Sequence, residues 1–110
     1  MREWTELKTS RRSRQGSGEK EDKIMPVLSK FYGIVIRMVG TSALNARFHA
    51  FYGDYELVIE IAPLRIIDGE APERVRGLVM EWARAHQREL LEAWNHCRRA
   101  ERPAPIEPLA

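Results

Sequence analysis

This 110-residue chain has one cysteine, Cys97. No internal disulfide can form, so the fold must rest on its core alone, as expected of a protein from a reducing compartment. No apolar run approaches the roughly 18–20 residues of a membrane-crossing helix, and the first residues hold no secretory-type apolar stretch. A cytoplasmic protein without membrane contact is therefore expected. An excess of one charge sign is missing too. Residues 1–24 carry seven Lys/Arg and five acids, which accounts for the whole formal charge of +2; the other 86 carry eleven of each. Nucleic-acid binders usually concentrate positive charge on the folded domain, so nucleic acid is a possible partner but not the favoured one. There is no glycine-rich phosphate loop, no Ser-His-Asp context, no CxxC pair and no calcium-loop spacing in "GDYE". No cofactor is indicated.

Apolar side chains are wholly absent from residues 8–23, "KTSRRSRQGSGEKEDK". Such a stretch cannot offset its ordering entropy, so residues 1–24 are expected to be a disordered leader, or to lie upstream of a true start at Met25. From Met25-Pro26 the composition changes abruptly. One α+β domain over 25–102 is expected, with a proline-rich extended tail over 103–110.

What is present is strand patterning followed by helix patterning. "KFYGIVIRMVG" (30–40) reads as a first strand, residues 46–52 as a second and 55–62 as a third. The third alternates best, with Tyr55, Leu57, Ile59 and Ile61 on one side. Gly53-Asp54 is a two-residue hairpin signal. Pro63 breaks the ladder, "LRII" (64–67) is a short possible fourth strand, and Asp68-Gly69 reads as a turn. Pro72 suits the first turn of a helix. Apolar residues then recur at Val75, Leu78, Val79, Trp82, Leu90, Trp94 and Cys97 with a period near 3.6. The expected fold is a three- to four-stranded antiparallel sheet followed by one long C-terminal helix over 72–99. That helix would be about 42 Å long at 1.5 Å per residue, against ~20 Å for the strands. Either it bends near His86, or its far end packs on another chain. In the second case Met80, Leu91 and Trp94, which widen the apolar stripe, are the partner-binding residues, and a homo-oligomer or a small protein partner is implied.

With these elements placed, residues 25–109 resemble a small bacterial family, domain of unknown function 4160. The resemblance rests on Met25-Pro26, on the strand Phe31–Met38, and on Arg47-Phe48-His49-Ala50-Phe51-Tyr52-Gly53, where the family pattern has histidine in place of Arg47. It continues through Glu81, Trp82, His86, Glu89, Leu90, Leu91 and Trp94, and ends on Ile106-Glu107-Pro108-Leu109. The resemblance implies no established activity. It does imply a small two-gene cassette, often beside a protein of domain of unknown function 2442, and hence a toxin–antitoxin-like pairing.

The candidate chemistry is narrow. The family's two strand histidines would suit a divalent metal, but Arg47 is a poor ligand and repels a cation, so no metal site is assigned. Arg47 with His49 could instead bind a phosphate and transfer protons in RNA cleavage, or His49 is simply a hydrogen-bonded strand residue. His86 lies within the helix stripe and is a second catalytic candidate only if the helix covers the His49 face. A shared metal site would need the same approach. Cys97 and the tryptophans read as packing. The reading favoured by the sequence is a non-enzymatic interaction module. An RNA-acting toxin and a His-based metal binder are the alternatives.

Overall fold

A computed structural model describes residues 25–39 and 45–110. The expected leader, and the connection at 40–44, fall outside the described residues. The expected first strand divides in two at Tyr32-Gly33, giving β1 (Val27–Phe31) and β2 (Ile34–Arg37). Both turn residues have positive φ, 52° and 80°, as a tight hairpin of the primed kind requires. Next come β3 (Arg47–Tyr52), β4 (Tyr55–Ile61) and β5 (Leu64–Glu70). All five pair antiparallel in chain order, so β1 and β5 are the sheet edges.

The fourth strand of the sequence reading thus becomes a fifth, and it runs three residues further, through Asp68-Gly69. That dipeptide does not turn the chain. Both residues pair in register, Asp68 with Val58 and Gly69 with Leu57; the bulge beside them leaves Ile67 as the extra residue opposite Val58/Ile59, and Gly69, at φ 90°, donates its N–H to Asp68 Oδ1 at 2.8 Å. Pro63 lies in the tight β4–β5 turn, where its missing N–H breaks no ladder bond.

The single long helix is also corrected. α1 (Glu73–Ala85) and α2 (Gln87–Arg98) are separate, and His86 is the non-helical residue between them, at φ −123°. At 1.5 Å per residue α1 is about 20 Å long, the length of the strands beneath it. Gln87 Nε2 donates to Ile61 O at 2.7 Å and fixes the corner to the end of β4. The returning α2 then buries Leu90, Ala93 and Trp94 in the same core as Val75, Val79 and Trp82 of α1. The apolar overhang that a straight helix would leave does not arise. Met80 and Leu91 are half-buried against that core, and Trp94 is 6% exposed.

Register divides the sheet into two faces. Phe48 pairs with Ile59, Ala50 with Leu57 and Ile36 with Ala50, and all of these lie buried beneath the helices. Phe48 meets the ring edge of Trp82 at 5.8 Å. α2 closes with Ala100 at φ 60°, where Glu101 N–H reaches His96 O and Ala100 N–H reaches Cys97 O. This is a Schellman cap with alanine in the position that glycine normally fills. The proline-rich residues beyond it form no helix or strand and dock on the domain: Pro103 and Ile106 are buried.

Candidate functional site

The strand carrying the sequence-predicted site is held in the middle of the sheet, and its odd-numbered residues face away from the helices. Three rows cross that outer face. Arg47 pairs with Glu60, which pairs with Arg65; Arg37 pairs with His49, then Val58, then Asp68; Val35 pairs with Phe51, then Glu56, then Glu70.

His49 is 19% exposed at its side chain. Its ring lies nearly parallel to Phe51, at 12° and 6.2 Å between centroids, and its Nδ1 is 2.8 Å from Glu56 Oε2. A carboxylate on Nδ1 orients the ring and leaves Nε2 as the other nitrogen, an arrangement that suits proton transfer. Arg47, two residues back on the same face, donates Nε to Asn45 O at 3.2 Å. Arg37, directly opposite His49, is a neighbour that sequence reasoning missed because the register of β2 on β3 cannot be read from the sequence; it donates to Met25 O at 2.7 Å.

Glu60 is the buried acid of this face. Arg65 donates Nε to its Oε1 at 2.7 Å, and Asn45 Nδ2 reaches Oε2 at 3.2 Å. The Arg65 hydrogen bond, helped by Asn45 and by the charge of Arg47, holds the Glu60 carboxyl below the usual carboxylate value despite the opposing effect of burial. Glu56 and Glu70, paired across β4 and β5, add two like charges side by side. The face therefore presents both signs: Arg37, Arg47 and Arg65 against Glu56, Asp68 and Glu70.

The other sequence-predicted residues lie elsewhere. His86 sits at the corner between the two helices with its ring 5.5 Å from Trp82 and Nδ1 2.5 Å from Glu89 Oε1. Since Trp82 packs on the Phe48 face, the sheet itself separates His86 from His49. The two imidazoles do not meet, and the shared catalytic or metal arrangement they would form is absent. Among the described residues no group of three His, Cys, Asp or Glu is placed to hold a metal ion. Cys97 is half-buried, and burial pushes its thiol up, away from the reactive thiolate. Among the described residues no helix is long and apolar enough to cross a membrane.

The molecule is thus an α+β protein in which a five-stranded meander is covered on one face by a broken helix pair, with a mixed-charge outer face. Residues 33–95, more than half of the chain, match the family described as Domain of unknown function (DUF4160), and the chain belongs to that family. The match is shorter than the 25–109 over which the sequence motifs extend; it leaves out β1 and the tail. Neither a curated protein nor a solved structure gives a match.

Proposed function

We propose that this chain is a non-enzymatic interaction module, one half of a bacterial toxin–antitoxin-like pair, that binds a small protein partner. The observation that supports this is the division of the sheet. Helices and tail pack on the Phe48 face, and no described element packs over the opposite one. There Val35, Phe51 and Val58 lie half-buried among charges of both signs. An apolar centre with a polar rim is the usual make-up of a protein interface. Balanced signs suit a protein better than a polyanion, whose binding draws on counterion release from many phosphates. The cassette implied by the family resemblance supplies a source for the partner, a neighbouring gene of the domain of unknown function 2442 type.

Co-expression with the neighbouring gene product tests it. Phe51→Lys should abolish co-purification while the melting temperature stays near that of the wild type. If Met80→Lys or Leu91→Lys breaks the complex and Phe51→Lys does not, the surface is the helix layer instead. Retention in all three variants overturns the proposal.

A second reading, an RNA-acting toxin with Arg47 on phosphate and His49 as proton carrier, has one observation in its favour, the His49–Glu56 pair. It requires that His49→Ala remove growth inhibition with the fold intact. The neighbouring Glu56, Asp68 and Glu70 weigh against it, because each repels phosphate.

A further inference from the structure

The C-terminal residues hold a place along the edge of the sheet. Ile106 N–H donates to Leu28 O at 2.8 Å, and Tyr32 Oη donates to Ala110 O at 2.8 Å. Both contacts join residues 78 positions apart, so the tail runs parallel to β1 at a constant offset. Between them Trp82, fully buried, donates its indole N–H to Glu107 O at 2.8 Å. Ile106 is 5% exposed and belongs to the core cluster, with Leu109 half-buried beside it.

This docking is specific in its side chains and poor in its backbone. β1 is an edge strand with main-chain groups free to pair, yet Ile106 supplies the one backbone bond recorded between it and the tail among the described residues. Pro105 and Pro108, on either side of Ile106-Glu107, have no N–H to give. Ser29 Oγ, buried on β1 next to Leu28, has no hydrogen-bond partner among the described residues. The joint from α2 into the tail runs through Ala100 in the left-handed region, an unfavourable conformation for a residue with a Cβ. The tail is seated like a peptide ligand, but its prolines keep it from pairing as a strand.

We propose that the groove between β1 and Trp82 is a peptide-binding site, held in cis by residues 103–110, and that it accepts an extended segment of another protein by strand addition to β1. The occupant carries an isoleucine-class side chain in the place of Ile106, a backbone carbonyl for the Trp82 indole, and no proline beside them. Lacking those prolines, it makes more main-chain bonds to the edge than the tail does. The groove lies at the β1 edge on the helix side, so the proposal stands apart from the outer-face reading.

The test uses the full chain and a labelled synthetic peptide of residues 103–110 in which Pro105 and Pro108 are replaced by threonine. Fluorescence anisotropy should show the peptide binding Ile106→Ala at least tenfold more tightly than wild type, because the competing tail is loosened. Trp82→Phe introduced into Ile106→Ala should weaken binding again. Equal affinity for wild type and Ile106→Ala, or no binding by an Ile106→Ala chain with a native circular dichroism spectrum, overturns the proposal. Should Ile106→Ala fail to fold, hydrogen exchange of the wild-type Trp82 indole N–H decides. Exchange through a local opening of the tail, insensitive to low denaturant, is expected. Exchange only by global unfolding contradicts a displaceable tail.

Discussion

Phe48 and His49 are consecutive residues that face opposite sides of the sheet: Phe48 meets Trp82 beneath the helices, while His49 stacks on Phe51 on the outer face. Substitutions one residue apart should therefore have unlike effects. Phe48→Ala removes a fully buried ring and should cost about 3–5 kcal/mol. His49→Ala removes a hydrogen bond to Glu56, which is about half exposed, and should cost about 1 kcal/mol. Urea unfolding of the two variants measures both.

The close approach of β5 to β4 at Gly69 makes its own prediction. A Cβ on Gly69 would stand 2.0 Å from the carbonyl oxygen of Glu56, in a backbone conformation at φ 90°. Neither atom is the end of a flexible side chain, so the strands would have to part. Gly69→Ala should destabilise the domain by about 3 kcal/mol, read as a lower urea midpoint. Gly77, where an added Cβ meets nothing within 4 Å, is the control: Gly77→Ala in α1 should stabilise by about 0.5–1 kcal/mol.

Particular residues decide how much of this was legible. The alternation of Tyr55, Leu57, Ile59 and Ile61 placed β4, and Gly53-Asp54 placed its hairpin. The β1–β2 turn was hidden because Tyr32, an aromatic and a good strand former, occupies a left-handed position that asparagine or glycine usually marks. The helix break was foreseen as one of two alternatives, on length alone. Its position carries no glycine or proline, and what fixes it is the long-range Gln87–Ile61 bond. Asp68-Gly69 has the composition of a turn yet stays in the strand, paired with Val58 and Leu57 of β4 beside the bulged Ile67. His49 and Arg47 were legible as a same-face pair. Which face they occupy was not, because register with β4 settles it.

The Schellman cap of α2 yields a stabilising change. Ala100→Gly relieves the left-handed strain at a position exposed to solvent and should raise stability by about 0.5–1 kcal/mol. Thermal melting checks this directly.

Glu60 links the outer face to pH. Its carboxyl is held below the usual carboxylate value, first by the Arg65 hydrogen bond. The stability it contributes is therefore fully present above the unfolded carboxylate value and is lost as pH falls through the folded one. Glu60→Gln removes that contribution. The stability gap between wild type and Glu60→Gln should be widest near neutrality and should close as the pH drops below the carboxylate range. A gap that stays constant with pH contradicts the ion-pair account of this residue.

The central claim is that the outer face of the sheet, centred on Phe51, is the binding surface for a protein partner. The most direct measurement is native purification of wild type and Phe51→Lys side by side, with the bound species identified by mass spectrometry and tested for RNA. The account predicts a small protein at a fixed ratio with wild type, absent from a Phe51→Lys chain that melts at the same temperature. RNA in place of protein, or the same protein bound equally to both, would contradict it.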